Sequence, residues 1–516
     1  MPQLLPAFDS FEASYRKESF GSGAGIAWQY AITSLVPDFF GNPVTRNDWF
    51  GQYAEWASYI GVIPFVFALV AFVVSKNKVQ VRFWWLSSIV AWAIAFPTPL
   101  NSLLYLLKIP AFSTSVASRV IVLFSFSLSV LAGFGLDVIR TKLGDKKEAL
   151  RGYVLTIGIL LLLVFVWLGF GVTLGDKFYI ALRNSILSIA LLAGLVLWLV
   201  IFRKAGAKWK TVCLIFIISL SAFDSLRYAK KWMPFDPRAY VFPDVGVSNF
   251  LRSKIKNDRI YGNFGNEVGS YFSVPLLEGY DAMYPRRYGE FASFVNTGAI
   301  VALERSVVQL WKRGKHIERA LSLLGVRYIV HRVSDGRNVW AYPYWDYPPD
   351  KLQEIYNDEK YMVFENLEAL PRVYFASTYT IKHDEEILQA LFNESFDVAQ
   401  SVVLEEEPEF VPKVGDGDVQ ITSYSPNIVD INTNTSVAKL VVLSDRYDLG
   451  WTATVDGKRT KIFRANYDFR AISVPPGEHQ IKFIYESRSF RNGVIWFVGT
   501  ILAFCMFRQS YAYRNK

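Results

Sequence analysis

Asp9, Glu12, Arg16, Asp38, Asp48 and Glu55 precede the first long apolar run of the sequence, and Arg119 stands at the start of the third. At a membrane face such groups suit one chemistry. A carboxylate takes a proton from an acceptor hydroxyl, while an arginine grips a phosphate through two parallel N–H bonds. Asp9, Asp38 and Asp48 are therefore the candidate catalytic carboxylates, and Arg119 is the candidate phosphate ligand. Solvation at an interface is the commoner role of any one such group. His316, His331, His383 and His479 are dispersed and share no ligand spacing with cysteine or paired carboxylates, so no metal site is assigned. Gly21, Gly23 and Gly25 follow no strand and lack the GxGxxG spacing of a dinucleotide loop; they suit a flexible loop. No cofactor is evident.

These groups need elements to hold them, and composition says of what kind. The chain has 516 residues, 52% of them hydrophobic and 16% aromatic, which fits a mixture of membrane and aqueous parts. Its net charge of +9 gathers in short segments between apolar runs, as membrane topology requires, so nucleic acid is not a partner and the lipid bilayer is. Cys213 and Cys505 both fall in apolar runs, so no disulfide framework supports an aqueous domain.

Apolar stretches run from Trp56 to Val74, Phe83 to Pro97, Val120 to Leu136, Tyr153 to Leu174 and Asn184 to Phe202. Thr211 to Phe223 and Asn492 to Phe507 are weaker, making about seven spans in all. Basic residues at 76–82, 140–151, 203–210 and 508–516 mark the cytoplasmic loops. The amino terminus and a large domain from about residue 228 to 491 are then extracytoplasmic, and the carboxyl terminus is cytoplasmic. Residues 1–55 contain no export signal, so the chain is expected to be the later part of a longer protein; a reverse signal anchor is the alternative. Asp137 and Asp224 lie at span ends and no ionisable group lies mid-span, which disfavours an ion-coupled transporter.

The expected organisation is an extracytoplasmic segment over 1–55, a six-span bundle over 56–228, a mixed α/β domain over 229–415, a β-sandwich over 416–490, and a last span with its tail over 491–516. Within the α/β domain, apolar spacing from Ala302 to Leu324 predicts a helix with a basic face, and Val326 to Val330 a strand. In the sandwich, Asp456-Gly457 and Pro475-Pro476-Gly477 each separate two strands, as hairpin loops do, and Trp451, Phe469 and Tyr485 are the expected core aromatics.

The segments LLGVRYIV (Leu323 to Val330), VFENLEALPRVYFA (Val363 to Ala376) and above all Leu443 to Ser487, with its GW, VDG, RANY, FRA and PPGEH elements in order, resemble the YfhO-type bacterial membrane proteins. VPDFFGNP (Val36 to Pro43), Ala117 to Ile139 and EGYDAMYPRRYGEF (Glu278 to Phe291) are weaker similarities. The resemblance implies a relative of the GT-C glycosyltransferases: a polytopic helical membrane protein that takes a sugar from a polyprenyl-phosphate donor. The acceptor it implies is an envelope glycan or teichoic acid on the outer face of a bacterial cell membrane. A divalent metal assists some such enzymes, but nothing in this sequence specifies one. The family's catalytic acid usually lies in the first outer loop, which this sequence lacks by this reading, so no catalytic residue is carried over. A non-enzymatic envelope scaffold that binds glycan or a partner protein is the alternative function.

Overall fold

Backbone that crosses a bilayer must satisfy its own hydrogen bonds, so the apolar runs of this chain become helices. The computed structural model describes residues 3–14, 25–75, 78–108, 116–142, 146–171, 175–233, 235–277, 279–280, 283–301, 307–333 and 349–514. Arg16, Gly21, Gly23 and Lys76 lie outside the described residues. The chain divides into two units: Ser19–Asp236, and Met1–Glu18 together with Pro237–Lys516. The first helix, α1 (Leu4–Ala13), belongs with the latter.

The unit Ser19–Asp236 contains α2 (Val62–Ser75), α3 (Val79–Ala95), α4 (Pro99–Leu106), α5 (Ile121–Lys142), α6 (Lys146–Gly171), α7 (Asp176–Lys204) and α8 (Ala207–Trp232). Pro97 ends α3, and Thr98 with Pro99 starts α4 at 65° to it. At Gly135 of α5 an added Cβ would lie 1.8 Å from the Phe67 carbonyl oxygen of α2, so these helices pack backbone to backbone. Short connections from Ser75 to Val79 and from Lys204 to Ala207 join α2 to α3 and α7 to α8, beside the basic residues Lys78, Arg82, Lys204 and Lys208.

Seven spans were expected. Among the described residues four helices are long and apolar enough to cross a bilayer, including the last helix of the chain, or five if the bent pair α3–α4 is one span. The expected span from Trp56 to Val74 shortens because Gly61, at φ +99°, stops the helix. Its 14 residues reach about 21 Å, short of the roughly 30 Å hydrocarbon core.

In the other unit α9 (Gly246–Lys254) leads to β1 (Arg259–Gly262), α10 (Asn266–Phe272), β2 (Gly279–Tyr280), α11 (Arg286–Thr297), β3 (Val307–Val308) and α12 (Ile317–Leu323). The strands β4 (Val326–Arg332), β5 (Leu352–Asn357) and β6 (Tyr361–Asn366) follow, forming a sheet in the order β1-β4-β6-β5 in which β1 and β4 are parallel. The strand expected at Val326 is β4. Of the helix expected from Ala302 to Leu324 only α12 forms, because Val307 and Val308 pair as β3 with β2; residues 302–306 are not described. Arg319, expected on a solvated basic face, instead donates to the carbonyl oxygens of Leu391 and Phe396.

The chain continues through β7 (Val373–Ala376), β8 (Thr378–Ile381), α13 (Glu385–Leu391), β9 (Ser401–Leu404), β10 (Gly417–Tyr424), β11 (Ile428–Thr435) and β12 (Lys439–Arg446). It ends with β13 (Trp451–Val455), β14 (Lys458–Thr460), β15 (Phe463–Ala465), β16 (Phe469–Val474), β17 (Gly477–Tyr485) and α14 (Arg488–Arg514). One sheet runs β7-β12-β16-β15-β9-β8 and the other β10-β11-β17-β13-β14. The sandwich therefore draws three strands from before residue 416. Val429, Ile431, Val441, Leu443, Ile472, Ile481 and Phe483 fill the space between the sheets. The opposite face of the six-stranded sheet packs its Leu440, Val442 and Ala471 with α11, α12 and α13, so β12 and β16 are buried on both sides. Phe469 belongs to this second core, Trp451 flanks the first, and Tyr485 packs on Trp451.

Asp456 and Gly457, at φ 51° and 77°, make the two-residue hairpin turn between β13 and β14 that their sequence predicts. Pro475-Pro476-Gly477 differs from expectation: β16 and β17 lie in different sheets, so this segment crosses the sandwich and is not a hairpin. The helix α14 is apolar and exposed on nearly all sides, with α1 packed along it.

One buried carboxylate gathers this unit. Asp445, 5% exposed at the end of β12, accepts Arg259 Nη2 at 2.8 Å and Arg372 Nε at 2.9 Å on Oδ1. Its Oδ2 accepts Arg470 Nη2 at 3.1 Å and the Tyr424 hydroxyl at 3.0 Å. Burial pushes the Asp445 carboxyl up, but Arg372, Arg259 and Arg470 hold it below the usual carboxylate range. Among the described residues Arg470 Nε and Nη1 have no hydrogen-bond partner; the centre of the Trp451 ring lies 3.9 Å from the guanidinium carbon. A second tie is the RANY turn, where Asn466 and Tyr467 take positive φ. Asn466 Oδ1 accepts the Val403 N–H at 2.9 Å and its Nδ2 donates to Tyr374 at 3.0 Å, while Tyr467 donates to Glu290 of α11 at 2.6 Å.

Replacing Asp445 with Asn leaves buried guanidiniums without a counter-charge, and is expected to destabilise this unit by about 3–5 kcal/mol in denaturant unfolding followed by Trp451 fluorescence. Asp468, beside the RANY turn, is pushed by burial up to about 7 despite Arg446, Arg464 and Arg287. Its folded form binds the proton more tightly than its unfolded form, so its stabilising contribution is complete below about pH 4 and is lost as the pH rises toward 7. Thermal melts from pH 4 to 8 should show this slope, and Asp468→Asn should flatten it.

Candidate functional site

Segment 26–61 contains no long helix, yet it is well packed. Ile26, Tyr30, Leu35, Val36, Phe39 and Phe40 are buried, and the Tyr30 ring meets Phe40 at 5.3 Å and Trp56 at 5.1 Å. The segment closes over one end of the helices. The Ile26 N–H donates to Ala95 at the end of α3, Ser188 of α7 donates to the Leu35 carbonyl at 2.8 Å, and Ser225 of α8 donates to the Ile60 carbonyl at 3.3 Å. Ala95 and Ser225 lie toward the carboxyl ends of α3 and α8, away from the basic residues Lys78, Arg82, Lys208 and Lys210 at the starts of those helices.

Within it the VPDFFGNP stretch forms a knot. Gly41, at φ +85°, sits where an added Cβ would lie 2.1 Å from the Asn47 carbonyl oxygen, so only glycine fits the bend. The bend turns Asn42 back, and its Nδ2 donates to Asp38 Oδ1 at 3.0 Å. The Tyr53 hydroxyl donates to the same oxygen at 2.5 Å, and Lys231 Nζ donates to Oδ2 at 2.6 Å. Asn184 of α7 donates to the Asp38 carbonyl at 2.6 Å. Burial pushes the Asp38 carboxyl up, but hydrogen bonds from Lys231, Tyr53 and Asn42 hold it below the usual carboxylate range. It is an ionised carboxylate at neutral pH although only 5% exposed.

Lys231 reaches it because Asp224, Arg227, Tyr228 and Lys231 share one face of α8, at helical spacing. The Tyr59 hydroxyl donates to Asp224 Oδ2, and Arg227 Nη2 lies 3.7 Å from Oδ1. Tyr228 stands between, its ring 5.3 Å from that of Tyr59 and 6.4 Å from that of Tyr53. Two carboxylates and two cations are thus joined through closely packed tyrosines.

Of the candidates read from the sequence, Asp38 lies at the centre of this cluster. Asp48 is exposed on the same segment. Arg119 grips the Glu55 carboxylate with Nε at 2.7 Å and Nη2 at 2.9 Å, the two-point geometry expected for an oxyanion, satisfied here by a carboxylate. Asp9 is an exposed residue of α1 and belongs to the other unit. Sequence reading missed Lys231, Tyr53 and Tyr59 and set Asp224 aside. The signal was present in the Asp224, Arg227, Tyr228, Lys231 spacing at the end of an apolar run. Among the described residues no three His, Cys, Asp or Glu side chains lie together as a metal site would need.

Replacing Lys231 with Met strands the buried Asp38 charge and is expected to cost about 3 kcal/mol, read as a lowered melting temperature in detergent. Asp38→Asn in the same chain should return part of that loss; simple additivity in this double-mutant cycle would show that the two groups do not interact.

No curated protein and no solved structure matches the chain. Residues 404–496, from the end of β9 through the sandwich into α14, match the family model described as bacterial membrane protein YfhO. The match bears out the resemblance read from that stretch: this part of the chain is similar to the bacterial membrane protein YfhO family, and the apolar helices fit a membrane protein.

Proposed function

We propose that this protein is a membrane glycosyltransferase, or part of one, that moves a sugar from a polyprenyl-phosphate donor to an envelope glycan or teichoic acid on the outer face. The observation that carries this reading is Asp38, an ionised carboxylate ringed by hydrogen-bond donors beside the carboxyl end of α8, away from the basic residues at the start of that helix. The positive-inside rule assigns that end to the outer side.

The chemistry follows from the groups present. The acceptor hydroxyl takes the place of the Tyr53 hydroxyl on Asp38 Oδ1 and gives up its proton there as its oxygen bonds to the anomeric carbon. The bond from that carbon to the phosphate oxygen breaks, and polyprenyl phosphate leaves with the electron pair. Arg227, and Arg119 once released from Glu55, are the cations suited to the phosphate. Lys231 keeps Asp38 ionised between turnovers.

The test is transfer of a labelled sugar from a synthetic polyprenyl-phosphate donor in membranes containing the full chain. Asp38→Asn should lower transfer by roughly 100-fold or more, whereas Asp9→Asn and Asp48→Asn should leave it unchanged. Melting temperatures of the variants separate loss of chemistry from loss of fold. No transfer by the wild-type chain, or full transfer by a folded Asp38→Asn variant, overturns the reading.

A further inference from the structure

The five-stranded sheet buries one face in the sandwich and turns a polar face outward. Strand register places Gln420 beside Asn432 and Asn432 beside Gln480 in one row, and Asp418, Asn434 and Glu478 in the same order in the next. Asp456, on the β13–β14 turn, extends the first row. Its Oδ1 accepts the Gln480 N–H at 2.9 Å and its Oδ2 pairs with His479 Nδ1 at 2.7 Å. These side chains line a groove of about 710 Å³, within the range of small-molecule sites. Asn434 Nδ2 donates to Glu478 at 3.1 Å, but the amides of Gln420, Asn432 and Gln480 form no hydrogen bond with the described residues.

We propose that this groove binds a neutral, linear saccharide chain lying across the strands. A primary amide offers donors and an acceptor side by side, matching neighbouring hydroxyls, each of which both donates and accepts. The carboxylates of Asp418, Asp456 and Glu478 accept further hydroxyl protons as strong, charge-assisted bonds. Neighbouring strands lie about 4.8 Å apart, close to the length of one pyranose residue, so successive sugars meet successive strands. His479 can offset only one of the three carboxylates, so a polyanionic chain is repelled. No Phe, Tyr or Trp side chain lines the groove, so an apolar ligand finds little to pack on. Binding at this groove does not depend on the glycosyltransferase reading.

The experiment is saturation-transfer NMR on the full chain in lipid nanodiscs, with no sugar donor present, using cellohexaose as the neutral probe and a galacturonic acid hexamer as the anionic one. Cellohexaose should bind at millimolar concentration or below and the anionic hexamer should not. Asn432→Ala with Gln480→Ala should weaken binding about tenfold or more, and Lys482→Ala, outside the groove on the same sheet, should not change it. Should the double variant melt early, Asn432→Leu, which nearly keeps the side-chain size but removes every hydrogen-bonding atom, must weaken binding in its place. No binding of either probe, preference for the anionic hexamer, or binding indifferent to the groove variants overturns the proposal. Since no donor is present, failure here leaves the transfer result standing.

Discussion

A carboxylate removed from water must be paired, and the larger unit of this protein is organised around one that is. Asp445 receives Arg259 from β1, Arg372 from just before β7, Arg470 from β16 and Tyr424 from β10, so strands distant in sequence share one buried oxygen pair. Removing water raises the cost of every unpaired charge and strengthens every paired one, so the arrangement is strong only when complete. Arg470 shows how tight the accounting is, since the guanidinium that pairs with Asp445 also lies over the Trp451 ring. The GW, FRA and PRVYFA elements that looked like separate phrases of sequence are thus parts of one contact.

The unit Ser19–Asp236 uses the same physics on a smaller scale. Asp38 joins the loop segment to α7 and α8 through Asn184 and Lys231, and its own neighbours Asn42 and Tyr53 complete the shell. A group held ionised while nearly buried can fasten a fold, and it can also accept a proton once a substrate hydroxyl replaces one of its donors. In the proposed function one residue does both, which explains why its surroundings are so well satisfied.

Much of the architecture was legible from patterns that depend only on near neighbours. The Asp456-Gly457 hairpin follows from two residues that tolerate positive φ, the strand at Val326 from its β-rich composition, and the membrane class from apolar runs. Errors arose where distant segments compete for the same residues. Val307 and Val308 fit a helical face but pair with Gly279 and Tyr280, and Pro475-Pro476-Gly477 turns the chain into the other sheet because the strands flanking it find different partners. The candidate site was half legible: Asp38 was named, but the lysine and tyrosines that give it character were not.

The sequence by itself determined that the chain enters a membrane, that a β-sandwich precedes its last apolar helix, and that its strongest family likeness lies in that sandwich, because hydropathy, turn chemistry and ordered motifs are local properties. Only the tertiary structure decided which carboxylates are buried and with whom they pair. Asp9, Asp38 and Asp48 are alike as letters; one is an exposed helix residue, one the centre of a knot and one an exposed loop residue. The difference comes from desolvation and from partners as far along the chain as Lys231, and neither is written in the residues beside them.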